Sequence, residues 1–171
     1  TYDTGSKQLD LVNMPDEVNF EVESFHKKVV TENFTKTVCA ELARRIDPSL
    51  DAKTLVFAVT THHADQVVAA LKQAFRDEYG HCNDDAVVKI TGNVDRPLKK
   101  IRQYKNECLP NVVVTVDLLT TGIDVPPITN LVFLRRVRSR ILYEQMLGRA
   151  TRRCDDIGKE YFRIYDCVDL Y

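Results

Sequence analysis

The chain has 171 residues, 44% of them hydrophobic, with 24 basic and 25 acidic side chains and a net charge of −1. That is one compact domain's worth of sequence, and so balanced a charge means that any contact with nucleic acid must come from a local patch. Cys39, Cys82, Cys108, Cys154 and Cys167 are scattered with no C-x-x-C pair, which argues against a zinc knuckle and a disulfide framework and for reduced thiols in the cytosol.

Residues 1–24 are polar and acidic, with Pro15, Asp16, Glu17, Glu21 and Glu23, and read as a connecting segment ahead of a domain over 25–171. The chain opens without a basic-then-apolar secretion signal or an initiator Met, so it reads as a piece cut from something longer. No apolar run approaches the ~20 residues of a membrane span. From Phe25 to Ile46 apolar residues recur at helical spacing, and Pro48 closes that helix. Thr54–Val59 is a continuous apolar run of strand length, as a parallel strand covered on both faces requires. A helix over His62–Tyr79 follows and ends at Gly80.

The pattern repeats in the strand Ala86–Ile90, the turn Thr91-Gly92-Asn93 and a helix around Leu98–Tyr104, then in the strand Asn111–Val116 and the loop to Pro126-Pro127. Asn130–Leu134 is a further strand, and Ser139 can cap a helix carrying Ile141, Leu142, Tyr143, Met146 and Leu147. Gly148 marks where that helix finishes. If it continues instead, Arg149 and Arg152 share a face with Gln145 and suit a triphosphate. Tyr161–Asp166 is the last strand. Alternating strands and helices predict an α/β layered domain with a mostly parallel sheet. Ligands of such sheets bind at the carboxyl ends of the strands, so Thr60-Thr61-His62-His63, Thr91-Gly92-Asn93 and Asp117 through Asp124 should lie along one rim.

Each cluster also has a plainer meaning. The Asp and Thr side chains of 117–126 can bond their own backbone in an ordinary turn, Thr60 and Thr91 can be helix caps, and Arg149 and Arg152 can be a basic helix end. Adjacent His62 and His63 lack the i, i+4 spacing of two metal ligands on one helix face, so no metal site is expected. Arg135, Arg136, Arg138 and Arg140 form the densest basic run, either a solvated loop or a contact with nucleic acid or another domain.

The order and spacing of three segments resemble the second motor lobe of superfamily 2 helicases and translocases. Leu55-Val56-Phe57-Ala58 looks like the fourth motif, Val116 through Pro126 like the fifth, and Gln145-x-x-Gly148-Arg149-x-x-Arg152 like the sixth. The wording Leu118-Leu119-Thr120-Thr121-Gly122-Ile123-Asp124-Val125-Pro126, with Asn130 through Val137 and Leu147 through Arg152, resembles the motor (R) subunit of type I restriction enzymes, from about Pro15 to Tyr171. The resemblance implies a three-layer RecA-like domain. It makes Arg149 and Arg152 arginine fingers, Gln145, Gly122 and Asp124 nucleotide-site residues, and Thr60, Thr91, Thr120 and Thr121 contacts to DNA backbone. One departure is Val116, where many relatives have threonine just before the aspartate of the fifth motif.

It further implies ATP and Mg²⁺ in a parent protein of the bacterial cytoplasm, held mainly by a first RecA-like lobe of the same chain. Double-stranded DNA and the modification and specificity subunits would be partners, the isolated piece being a monomer. No G-x-x-x-x-G-K-[ST] loop, paired-acid metal box or nuclease constellation occurs in these residues, so the piece alone should be inactive while the parent is an enzyme. The competing expectations are a non-enzymatic α/β docking module for subunit assembly and, more distantly, a methyltransferase-like nucleoside binder, although no Gly-rich loop follows the first strand.

Overall fold

The computed structural model of the protein describes residues 31–92, 96–116, 124–137 and 140–168, which apart from Thr31 fall in the unit Glu32–Tyr171. The expected connecting segment, and residues 25–30 of the expected first helix, lie outside them. Thr31 is not helical, and helix α1 runs Glu32–Arg45 with Thr35, Cys39, Leu42 and Ala43 buried. It stops short of Pro48 because the residue before a proline is pushed out of the helical region.

Strand β1, Lys53–Phe57, is buried at every position. Helix α2, Thr61–Tyr79, starts where Thr60 turns extended and its Oγ1 accepts the His63 N–H at 3.1 Å, and ends at Gly80 with φ 79°. That left-handed position costs glycine little and a side-chain-bearing residue more. The remaining elements are β2 Val87–Lys89, α3 Pro97–Asn106, β3 Val112–Thr115, β4 Ile128–Phe133, α4 Arg140–Gly148, a 3₁₀ turn Asp155–Ile157, and β5 Arg163–Asp166.

The strands form one sheet in the order β2-β3-β1-β4-β5, with every neighbouring pair parallel. Alternation along the strands sends residues to two separate cores. Val56, Val112, Val114 and Val132 pack with Leu42, Val67, Leu71 and Phe75 of α1 and α2. Leu55, Phe57, Val113, Leu131 and Phe133 pack with Ile101 and Tyr104 of α3 and Met146 of α4. Phe57 stacks on Phe133 at 5.1 Å, and Phe133 meets Tyr143 at 5.6 Å. The result is the expected three-layer α/β arrangement.

Two local readings change. Strand β4 begins at Ile128 rather than Asn130, because Ile128 pairs with Lys53 and the register then shifts so that Thr54 faces Asn130; the extra residue, Thr129, is a bulge that the alternating pattern conceals. Within α4, Ile141 is 70% exposed while Met146 is fully buried. At 3.6 residues per turn Leu142, Tyr143, Met146 and Leu147 share a face, and Ile141 falls beside exposed Gln145 instead.

Two buried polar side chains hold the layers in place. Lys53 is 3% exposed, and its Nζ donates to Glu107 O, Cys108 O and Pro110 O at 2.7, 2.8 and 2.8 Å, using all three of its protons. Lys53→Met keeps the stem but strips three carbonyls of their donor, and should cost about 1–3 kcal/mol or more in denaturant melts. His63 is 4% exposed; its Nδ1 accepts from Val59 N–H at 3.2 Å and its Nε2 lies 3.2 Å from Thr35 Oγ1. Burial, with a smaller push from His62, brings its pKa down from 6.5 to about 4, so the ring folds neutral. The unfolded chain therefore binds the extra proton between those values. Its stabilisation is complete above about pH 6.5 and is lost as pH falls toward 4, at most on the order of 3 kcal/mol. Relative to a His63→Gln variant, the wild type should lose stability across that window, as urea midpoints at pH 7, 5.5 and 4.5 would show.

Candidate functional site

All five strands point the same way, so the residues following them share one rim. Thr60 follows β1 and is exposed, but its hydroxyl already accepts the capping bond from His63. Thr91 follows β2 and is only 5% exposed; its Oγ1 is buried with no hydrogen-bond partner. The nearby Thr115 hydroxyl at the end of β3 is in the same condition. Thr120, Thr121 and Gly122, like Asn93, Ser139 and Arg138, lie outside the described residues. Arg135 and Arg136 are half-buried and point back into the fold. Arg135 Nη1 donates to Val116 O at 3.0 Å and Arg136 Nε to Val168 O at 3.2 Å, so the start of the basic run fastens the ends of β3 and β5.

Asp124 departs from the single-rim expectation. The chain that leaves β3 at the rim must return to the opposite edge before it can enter β4 in parallel, and Asp124 lies late on that return. Pro127 O accepts the N–H of Lys53, the first residue of β1. Asp124 itself contacts Lys105, in the last turn of α3, at 3.4 Å. It therefore sits on the flank between α3 and the end of α4, away from Thr60 and Thr91.

The arginines converge on that flank by a route other than a continued helix. Helix α4 ends at Gly148, and the next amides, Arg149 and Ala150, bond three residues back to Met146 O and Leu147 O at 3.2 and 2.9 Å. The shared helix face with Gln145 is thus broken by a tight turn. Thr151 Oγ1 donates to Gly148 O at 3.2 Å and closes it. Ala150 is completely buried and anchors the turn in the α3–α4 core. Arg149 is half-buried, Gln145 is exposed, and Arg152 reaches Asp124, with Nη1 2.8 Å from Oδ1 and side-chain exposures of 59% and 42%. That oxygen lacks an aligned hydrogen bond, so the contact is ionic rather than the two-pronged fork of an ideal arginine–carboxylate pair. Lys159 adds a second tie, its Nζ donating to Pro126 O at 2.9 Å and Ala150 O at 2.7 Å.

The flank can present planar guanidinium donors to an anion, with a carboxylate beside them to accept from hydroxyls. Among the described residues no group of three or more His, Cys, Asp and Glu could hold a metal ion, and no helix is long and apolar enough to cross a membrane. A hollow of about 810 Å³ lies between α1 and α2 on the opposite face of the sheet and is floored by Ala40, Ala69, Ala70 and Ala74.

A basic feature emerges that motif reading passed over. Arg96, Lys99, Lys100, Arg102 and Lys105 fall in residues 96–106 with no acidic residue among them. Ile101 and Tyr104 take the buried side of α3, which leaves Lys99 and Arg102 exposed. The helix starts at the rim, after Arg96 in the left-handed region at φ 50°. A charge count in an eleven-residue window would have revealed it.

Comparison with known proteins agrees with this architecture. Residues 33–154 match the helicase conserved C-terminal domain. The chain is 50% identical over 172 residues to the type I restriction enzyme EcoKI endonuclease subunit of Escherichia coli (strain K12), covering 97% of this chain and 15% of that protein. It is 30% identical to the EcoAI endonuclease subunit of Escherichia coli, covering 83% of this chain and 18% of that protein. A fragment structure assigned to an HsdR subunit of a type I restriction enzyme from Vibrio vulnificus YJ016 superposes with a TM-score of 0.70 at 29% identity, over 83% of this chain and 28% of that one. The chain thus spans less than a fifth of the two curated relatives. By its matched span and its five-stranded parallel sheet, the chain belongs to the family of helicase conserved C-terminal domains, with a RecA-like fold.

Proposed function

We propose that the chain is the second motor lobe of an ATP-dependent double-stranded DNA translocase, the R subunit of a type I restriction enzyme in the bacterial cytoplasm. The observation that carries this reading is the convergence of Asp124 and Arg152 on one flank, with Arg149 on the same turn. An arginine finger stabilises charge developing on a phosphate held by another lobe. Bound ATP with Mg²⁺ supplies the phosphoryl group to be transferred, and a first lobe would hold most of it. This chain's residues would take the remaining share: Arg149 and Arg152 the phosphate end, and Asp124, Gln145 and, by its motif, Gly122 the rest of the nucleotide site. Arg152 is exposed enough to exchange its carboxylate for a phosphate at small cost.

In the full-length protein, Arg149→Ala or Arg152→Ala should lower DNA-stimulated ATP turnover by on the order of 10³- to 10⁵-fold with little change in ATP affinity, because a finger acts on the transition state more than on the ground state. Lysine should rescue neither, lacking the planar pair of donors. The chain by itself should not turn over ATP. Near-normal turnover in both alanine variants, with only a lower melting temperature, would favour the docking-module reading.

On the same proposal DNA crosses the rim, where Thr60, Thr120 and Thr121 and the start of α3 would meet the phosphate backbone without reading bases; the buried hydroxyl of Thr91 is not placed for such a contact unless DNA uncovers it. Replacing Lys99 and Arg102 by Ala should weaken binding equally on unrelated duplexes. It should also flatten the slope of log K against log salt by roughly 0.9 for each phosphate that is no longer neutralised. Weakening confined to one DNA sequence in that titration would contradict backbone contact. The modification and specificity subunits are the further partners this reading expects.

A further inference from the structure

We propose that Lys159 is a positioning residue, whose ammonium sets the separation between the Asp124–Pro126 segment and the Arg149–Arg152 turn. This rests on the reading of Arg149 and Arg152 as phosphate contacts and adds a residue outside all three motifs. The two carbonyls it joins, Pro126 O and Ala150 O, lie 24 residues apart in sequence, and each belongs to a segment without strand or helix hydrogen bonding of its own.

Lys159 is itself held rigidly. Its N–H donates to Cys154 O at 3.0 Å and it pairs with Cys154 in an isolated antiparallel bridge. The intervening 3₁₀ turn closes on Gly158 at φ 60°, whose N–H donates to Asp155 O at 3.0 Å. A short hairpin therefore delivers the ammonium from one fixed place. Burial lowers the Lys159 pKa, and the neighbouring Cys154 pushes the other way.

Another tie between the segments, Arg152 to Asp124, has exposed side chains on both sides. Screening and side-chain entropy make such a pair a poor ruler. It is also the contact that must open if Arg152 is to turn to a phosphate. Lys159 bonds backbone instead, so it can keep the turn in register while the arginine changes partners. A misplacement of about 1 Å at a reacting group can cost on the order of 10²-fold in rate, and Lys159 guards against that error.

The test compares Lys159→Met, Lys159→Arg and Arg152→Ala in the full-length protein, reading kcat and KM for DNA-stimulated ATP hydrolysis and amide hydrogen exchange over residues 149–153. Lys159→Met should lower kcat by on the order of 10²-fold with KM for ATP within about threefold. It should speed exchange at 149–153 while the β1 and β4 amides stay protected. Lys159→Arg, which keeps a charged donor, should recover much of kcat. If Lys159→Met keeps kcat within about twofold while Arg152→Ala abolishes turnover, the role of Lys159 is overturned and the proposed motor function stands. Faster exchange throughout the strands would overturn it in favour of a general stabilising role. Normal turnover in Arg152→Ala would overturn the motor reading, and the inference with it.

Discussion

A parallel strand can be entered only from the edge at which its neighbours begin, and the rest of this fold follows from that rule. Between β3 and β4 the chain has just Val116 through Pro127 in which to return from the rim to the starting edge. At up to 3.3–3.6 Å per residue that is ample length for a crossing. The crossing runs toward the α3–α4 flank, where Val125 is buried in the same core as Ile101 and Met146. The two described ends of this connection thus serve two surfaces, Val116 at the rim and Asp124 on the flank, beside Lys105 and Arg152.

That geometry explains what could and could not be read from the residues. Continuous apolar runs such as Leu55–Phe57 and Val112–Val114 revealed buried parallel strands, because only strands covered on both faces need apolar side chains at successive positions. Thr60 and Gly80 marked the ends of α2 through capping chemistry that is local in sequence. Asp124 was recognisable by its motif but misplaced, since the rule for ligands at strand ends says nothing about how far along a crossing loop a residue sits. The helical-face argument for Arg149 and Arg152 failed at Gly148, where the turn substitutes three-residue hydrogen bonds for four-residue ones. Yet Arg152 still meets Asp124. Lys159 had no signature, because what it bonds are backbone carbonyls, and these carry no residue identity.

Lysine serves twice in this fold as a collector of carbonyls. Lys53 gathers three near the start of the sheet and Lys159 gathers two on the flank. Irregular segments leave main-chain acceptors that no ladder satisfies, and burying them unpaired is costly. An ammonium group on a flexible stem, with three protons to donate, can reach several acceptors at once. Tyr104 does related work from α3, its hydroxyl donating to Thr54 O at 2.7 Å. Together these contacts make the loops around the flank part of the packed structure, so the side chains they carry arrive in defined places.

On the proposed motor reading, the charges on the flank would let one of them leave. Asp124 faces two cations, Lys105 at 3.4 Å and Arg152 at 2.8 Å. If Arg152 swings to a phosphate, Lys105 remains beside the carboxylate at Oδ2, while the enclosed Oδ1 loses its cation. Both pairs are exposed, so each is worth roughly 0–1 kcal/mol, a small barrier against the stronger attraction of a triphosphate. A more deeply buried pair would have held the guanidinium in place and exacted a desolvation cost whenever it moved. On the proposed motor reading, a weak Arg152–Asp124 contact would suit a finger: it would keep the side chain near its working position, and backbone ties such as those from Lys159 would hold the frame while the contact is exchanged.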